Sequence, residues 1–188
     1  MKIESAKFVK GVTGTDSIFD DGVPQFALIG RSNAGKSSVI NSLVGQGGLA
    51  RISSFPGFTR QINLFLVNKS FYLVDLPGYG YAKIPSVMRE KIQGMVNWYF
   101  FNSGIKQEKI LLIIDANVGL TKDDLSVLRS FEEAGKNVII VANKIDKIRK
   151  SEYDVKMAEI NDLSWPHKVV PCSAKNKSGI DDLLKEFE

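Results

Sequence analysis

The chain has 188 residues and a formal net charge of +4, with 44% hydrophobic and 24% charged residues. This length predicts one domain with a sizeable core, and the composition excludes intrinsic disorder. The single cysteine excludes an internal disulfide, and a chain with one cysteine and one histidine offers too few ligands for a usual structural zinc site. No apolar run approaches the ~20 residues of a membrane span and no signal peptide begins the chain, so we expect a cytoplasmic protein without membrane association.

Apolar runs alternate with helical patterns along the chain, which predicts a mostly parallel sheet covered by helices on both faces. Two of the predicted strands have hairpin spacing, so one antiparallel strand should enter the sheet. Three helix starts carry capping-box patterns, at Thr121, Ser151 and Ser178. In chain order, strands are predicted at residues 26–29, 62–67, 71–74, 109–115, 137–143 and 168–172, with helices following the first strand and each strand from 71–74 onward.

The fold class predicted from these elements is α/β, with three layers and a six-stranded sheet. We expect a single domain over residues 1–188, in which residues 1–23 form an N-terminal extension packed on the rest.

A phosphate-binding loop is indicated by residues 30–37, which fit G-x-x-x-x-G-K-[ST] between a predicted strand and a predicted helix. The glycines let successive backbone N–H groups point inward, and the helix adds the positive end of its dipole. Lys36 can reach the β- and γ-phosphates, and Ser37 can offer its hydroxyl to Mg²⁺. The predicted phosphate-contacting residues are Gly30, Arg31, Ser32, Asn33, Ala34, Gly35, Lys36, Ser37 and Ser38.

A base pocket is indicated by the N-K-x-D pattern of Asn143, Lys144 and Asp146 at the end of a predicted strand. The Asp146 carboxylate can accept hydrogen bonds from N1–H and the 2-amino group of guanine, whereas adenine presents an acceptor at N1. Asn143 would bridge the base and the phosphate loop, and the Lys144 stem would cover the base. A second contact to guanine is expected from the backbone amides of Ser173, Ala174 and Lys175, although a plain strand-to-loop turn would look the same.

Two further loops carry residues expected to sense the γ-phosphate. Asp75 and Gly78 form a D-x-x-G pattern, in which Asp75 would hold Mg²⁺ and the Gly78 amide would contact the γ-phosphate. Thr59 would offer a second hydroxyl to Mg²⁺, next to Gly57 and Phe58 in the same loop. Loops that become ordered only with γ-phosphate and metal form a known kind of switch.

The order of these motifs resembles that of translation-factor-type P-loop GTPases over residues 24–188. More narrowly, residues 30–38, 56–63 and 75–83 resemble the EngB (YihA/YsxC) family of bacterial GTPases. The resemblance implies a P-loop GTPase fold and a switch that binds and hydrolyses GTP with Mg²⁺. It also implies a role in assembly of the large ribosomal subunit and a need for the protein in normal cell division and septation. We expect a monomer.

The sequence indicates fewer residues for GTP hydrolysis than for nucleotide binding. Tyr79 stands directly after D-x-x-G, where many GTPases carry the Gln that orients the attacking water, and this predicts slow intrinsic hydrolysis. Asn33 resembles the Asn of GTPases that use K⁺ as a bound positive charge, but a plain loop Asn is an equal interpretation. The residues expected to act in hydrolysis are Lys36, Thr59, Gly78 and Asn33.

Two other functions stay open at this point. One is a nucleotide-dependent binding module with negligible hydrolysis, which the missing Gln would favour. The other is an ATP-using P-loop phosphotransferase, although the chain shows no insert for its lid and acceptor site. A ribosomal partner would meet basic residues around the predicted site, which solvated surface charges would also explain: Arg51, Arg60, Lys83, Arg89, Lys91, Lys144, Lys147, Arg149 and Lys150.

Overall fold

A computed structural model of the chain describes residues 1–50, 61–80 and 85–188. The strands in these residues are β1 (Ala6–Val12), β2 (Gln25–Gly30), β3 (Ile62–Val67), β4 (Phe71–Asp75), β5 (Lys109–Asp115), β6 (Val138–Asn143) and β7 (Lys168–Pro171). They form one seven-stranded sheet, in the order β1-β3-β4-β2-β5-β6-β7. Strand β3 runs antiparallel to both of its neighbours and the other pairs are parallel, which confirms the predicted α/β class.

The seventh strand, β1, corrects the predicted count of six. Most of its side chains are exposed, and Lys7 and Lys10 interrupt its apolar residues, so no buried run marks it in the sequence. It lies at the edge of the sheet and pairs antiparallel with β3. Asn68, in the turn after β3, accepts hydrogen bonds from the backbone amides of Glu4 (2.8 Å) and Ser5 (3.1 Å), and so fixes where β1 begins.

Helices cover both faces of the sheet, which confirms the three predicted layers. The helices are α1 (Lys36–Leu43), α2 (Ser86–Asn97), α3 (Lys122–Glu133), α4 (Tyr153–Ser164) and α5 (Ile180–Leu184). One core cluster contains buried residues of α2, α3 and α4, and a second contains those of α1 and α5. Both faces of β5 and β6 are therefore buried, which explains their nearly continuous apolar sequences.

Of the three predicted capping boxes, the structure contains the one at α3. Thr121 Oγ1 accepts from the Asp124 amide at 3.3 Å, and the Asp124 carboxylate accepts from the Thr121 amide at 2.8 Å. The predictions at Ser151 and Ser178 are wrong. A 3₁₀ turn over residues 150–152 displaces the start of α4, and α5 starts after Gly179, whose φ of 72° favours glycine.

Whether a helix can cross a bilayer depends on its length and on how apolar it is. Across residues 1–50, 61–80 and 85–188, every helix is too short or too polar to cross a bilayer.

Candidate nucleotide-binding site

The predicted motifs that lie within the described residues meet at one edge of the sheet. The phosphate loop follows β2, Asp75 ends β4, and Asn143 ends β6. Because β2, β4, β5, β6 and β7 run parallel, their carboxyl ends share this edge, where ligands of open α/β sheets bind. The topology therefore brings together patterns that are separated by more than 100 residues in the chain.

Asn143 joins the phosphate loop to the loop after β7. Its Nδ2 donates to the Ala34 carbonyl at 2.9 Å, and its Oδ1 accepts from the Ala174 amide at 3.1 Å. Gly35 has a φ of 98°, and a Cβ there would collide with Nδ2 of Asn143, so glycine is required on two grounds. Behind Asn143, burial raises the pKa of the Cys172 thiol to about 12, so this thiol stays protonated and packs as a small apolar group.

Lys144 ties the base motif to the phosphate loop from the other side. Its Nζ donates to the Asn33 carbonyl at 2.5 Å and to Oδ2 of Asp115 at 2.8 Å. The lysine backbone is left-handed, with a φ of 69°, which turns the chain sharply after β6. Asp115 is a site residue that the sequence-based prediction missed. The signal that could have revealed it is a carboxylate at the end of a buried parallel strand, on the edge where the other motifs lie.

Asp146 and Ser173 meet at the mouth of the base pocket. The Ser173 hydroxyl donates to Oδ1 of Asp146 at 2.5 Å, and the Ser173 side chain is buried while Asp146 is exposed. A cavity of about 510 Å³ opens beside them, in the range of small-molecule sites. Residues of both predicted motifs line this cavity, among them Gly35, Ser38, Asn143, Lys144, Asp146, Ala174 and Lys175.

The lysine of the phosphate loop lies against the buried carboxylate at the end of β4. Nζ of Lys36 is 3.0 Å from Oδ1 of Asp75, and Asp75 is 3% exposed. Ser37 follows in the first turn of α1. Gly30 begins the loop where a Cβ would collide with the Ile113 carbonyl of β5, so the loop leaves the sheet in close contact with its neighbour.

The D-x-x-G loop runs alongside the phosphate loop. The Leu76 amide donates to the Leu28 carbonyl at 3.1 Å, and the Ser32 amide donates to the Tyr79 carbonyl at 2.9 Å. Gly78 therefore lies next to the phosphate loop. Arg31 pairs with Tyr79 in a short parallel bridge, and its side chain passes over Gly80.

Tyr79 stands where many GTPases carry the Gln that orients the attacking water, but its side chain is hydrogen-bonded to α3. Its phenol donates to Oδ1 of Asp124, in the first turn of α3, at 2.6 Å. Burial, and then the negative charge of Asp124, raise the pKa of the phenol, so it stays protonated and donates this bond. Tyr79 is therefore held to α3.

Some predicted site residues lie outside the described part of the chain. They are Gly57, Phe58 and Thr59 of the predicted Mg²⁺-binding loop, together with the basic residues Arg51, Arg60 and Lys83.

Comparison with known families and structures gives the class of protein. Residues 25–144 match a family described as 50S ribosome-binding GTPase, and residues 102–188 match the elongation factor Tu GTP binding domain. A solved structure of an Aquifex aeolicus Era variant bound to GDP and aluminium fluoride is 28% identical, with a TM-score of 0.74; the alignment covers 88% of this chain and 56% of that chain. The fold and the site thus define a P-loop GTPase, an enzyme that binds and hydrolyses GTP.

The curated relatives narrow this class further. A probable GTP-binding protein EngB from Clostridium perfringens is 41% identical over 98% of this chain and 94% of its own length. The corresponding protein from Clostridioides difficile is 38% identical over 100% and 93%. A crystal structure of a probable GTP-binding protein engB has a TM-score of 0.69 at 24% identity, over 87% of this chain and 96% of that one. The chain belongs to the EngB family of GTP-binding proteins, which confirms the resemblance seen in its motifs.

Proposed function

We propose that the nucleotide binds with its phosphates along residues 30–38 and its guanine base against Asp146. The observation that carries this proposal is the pair of hydrogen bonds in which the Asn143 side chain donates to Ala34 and accepts from Ala174. They join the phosphate loop to the loop of residues 173–175. The cavity beside Asp146 is bounded by both loops, so one molecule with a phosphate end and a base end can contact both.

Magnesium is the metal that this site suits best. Mg²⁺ usually takes one or two protein oxygens and completes its shell with water and phosphate oxygens. The Ser37 hydroxyl and the buried Asp75 carboxylate are oxygens of this kind, and we assign them to the metal together with Thr59, which lies outside the described residues. Among the described residues, no three acidic, histidine or cysteine side chains cluster where they could hold a metal ion by themselves. When bound, Mg²⁺ would neutralise charge on the phosphates.

Hydrolysis at this site should be slow without a partner. Lys36 and the Gly78 amide supply positive charge and a hydrogen bond to the γ-phosphate, but the Tyr79 phenol is already bonded to Asp124. Asn33 is exposed at the phosphate loop, and we retain it as the side chain that would hold K⁺ beside the phosphates. Equal hydrolysis rates in Na⁺ and K⁺ would remove that role.

The large ribosomal subunit is the partner that we propose. Support for the large subunit comes from the matched family, whose description names the 50S ribosome. A neighbour structure in which Era is bound to part of 16S ribosomal RNA, an RNA of the small subunit, supports only the more general expectation of a ribosomal RNA partner. Lys147, Arg149 and Lys150 lie exposed beyond the base pocket, where they can meet RNA phosphates. We further propose that the protein acts in the cytoplasm in assembly of that subunit. Cell division and septation should then fail on depletion, after free subunits accumulate.

Two measurements test the proposed function. The first is competition of GTP, GDP and ATP for the purified chain, in which ATP should fail to displace either guanine nucleotide. The second is co-sedimentation with large ribosomal subunits in the GTP-analogue, GDP and nucleotide-free states. We expect binding to depend on the nucleotide. If the chain stays in the supernatant in all three states, the ribosomal role is wrong, whereas equal competition by ATP would contradict the guanine site.

A further inference from the structure

Tyr79 connects three parts of the site through three different groups. Its carbonyl accepts from the Ser32 amide of the phosphate loop at 2.9 Å, and its phenol donates to Oδ1 of Asp124 at 2.6 Å. Its own backbone directly follows Gly78 of the D-x-x-G loop. The phosphate loop, the γ-phosphate-sensing loop and the first turn of α3 are therefore joined at this one residue.

Asp124 can fix the position of the Tyr79 phenol because other hydrogen bonds hold the Asp124 side chain in place. Its side chain is 2% exposed, and its second oxygen accepts from both the amide (2.8 Å) and the hydroxyl (2.6 Å) of Thr121. A phenol-to-carboxylate bond of this length is in the charge-assisted range. Without the phenol, Oδ1 of Asp124 would lose its donor in a buried position, which disfavours release of Tyr79.

Gly78 lies between two fixed points of the backbone. On one side the Leu76 amide is bonded to the Leu28 carbonyl of β2 at 3.1 Å, and on the other Tyr79 is bonded to the phosphate loop and α3. We propose that Tyr79 and Asp124 are positioning residues that hold the Gly78 amide where a γ-phosphate binds, and so raise the affinity for GTP relative to GDP. This inference rests on the proposed contact of Gly78 with the γ-phosphate.

A positioning role and a purely structural role of Tyr79 predict different effects on GTP and GDP binding. GDP has no γ-phosphate, so a displaced Gly78 amide should leave GDP binding unchanged. A general loss of packing around α3 would instead weaken both nucleotides or neither. The ratio of the two dissociation constants is therefore the informative quantity, rather than stability or either affinity alone.

The experiment measures the affinity of the full chain for GDP and for a non-hydrolysable GTP analogue. We expect Tyr79→Phe to weaken the GTP analogue about fivefold, the effect of one hydrogen bond, while the affinity for GDP stays within about twofold. Tyr72→Phe is the matched control, because the Tyr72 phenol also donates to a carboxylate, that of Asp21 at 2.8 Å, near the opposite end of β4. It should lose less stability than Tyr79→Phe, because Asp21 is exposed whereas Asp124 is buried, and it should leave the ratio unchanged.

A second variant covers the case in which Tyr79→Phe folds poorly. Asp124→Asn keeps the side-chain shape, but its single acceptor oxygen cannot serve both Tyr79 and Thr121, so the same selective loss is expected. An unchanged ratio in both variants, equal weakening of both nucleotides, or the same loss in Tyr72→Phe would each overturn the positioning role. Failure of the wild-type chain to bind either guanine nucleotide would instead overturn the proposed function, so the two failures are distinguishable.

Discussion

At the scale of a single residue, we propose that base preference depends on the Asp146 carboxylate. The Ser173 hydroxyl donates to Oδ1 of Asp146 at 2.5 Å and so orients the carboxylate. The Asp146 side chain still lines the cavity. We predict that Asp146→Asn weakens GTP binding by roughly 10²–10⁴-fold, because an amide N–H then faces the donor groups of guanine. Xanthosine triphosphate has a carbonyl in place of the 2-amino group, so its affinity should rise. Competition binding with both nucleotides measures the change.

The control for this prediction is Asp162→Asn, the same substitution at an exposed position of α4. It should bind GTP as the wild-type chain does. If Asp146→Asn retains wild-type affinity for GTP and gains none for xanthosine triphosphate, the base does not contact this carboxylate.

At the scale of elements, the last turn of the chain is bonded to two strands, β5 and β7. The Glu186 carboxylate is bonded to Lys168, which begins β7, and lies 3.0 Å from Nζ of Lys109, which begins β5. Burial opposes the charged form, but hydrogen bonds from Lys168 and Lys109 hold the pKa of Glu186 below its ordinary value of 4.5. A lowered pKa in the folded state contributes stability above the unfolded value, and that stability is lost as pH falls through the folded value.

We therefore predict that the free energy of unfolding falls as the pH drops below about 4.5, and that this fall is shallower in Glu186→Gln. At neutral pH, Glu186→Gln should destabilise the chain by about 1–2 kcal/mol, since two charge-assisted hydrogen bonds weaken. Urea unfolding at a series of pH values gives both quantities. Glu159→Gln, at an exposed position of α4, should keep the wild-type pH profile. Identical profiles for all three proteins would contradict this account.

At the scale of the whole molecule, the N-terminal segment packs on the sheet and on the helical turn Trp98–Asn102 that directly follows α2. Phe19 is buried against Trp98 and Tyr99, with ring centroids 5.8 Å away in each case. We propose that residues 1–188 fold as one cooperative domain and as a monomer, so Phe19→Ala should lower the stability of the whole chain. The expected loss is about 3–4 kcal/mol, typical of a buried phenylalanine.

The measurement follows denaturant unfolding by circular dichroism and by tryptophan fluorescence, with Trp165→Phe in every protein. Trp165 is 81% exposed, and without it Trp98 alone reports on the neighbourhood of Phe19. Both probes should give the same midpoint in wild type and variant. Phe8→Ala, in the same segment but 50% exposed, should cost far less. An earlier fluorescence transition would mean that the N-terminal segment unfolds separately.

Short contiguous motifs predicted most of the candidate site, because their chemistry depends on backbone groups that are close together in the sequence. Gly30 and Gly35 with Lys36 form a loop whose amides converge over a few residues, so spacing alone indicates phosphate binding. The same holds for Asp146 after a buried strand. Asp115 and β1 were missed because neither belongs to such a pattern. Asp124 belongs to the predicted capping box of α3, but no short pattern indicated its bond to Tyr79. Asp115 acquires its role from Lys144, and Asp124 from Tyr79, which are 29 and 45 residues away.

The sequence by itself determined the class of fold, the phosphate loop and the guanine motif, since each depends on residue types at short spacing. Only the tertiary structure decided that Tyr79 is bonded to α3, that Lys144 pairs with Asp115, and that a seventh strand completes the sheet. These contacts depend on strand order and on which side chains face one another across the sheet edge. That information is carried by the packing of the whole chain and by no single segment of it.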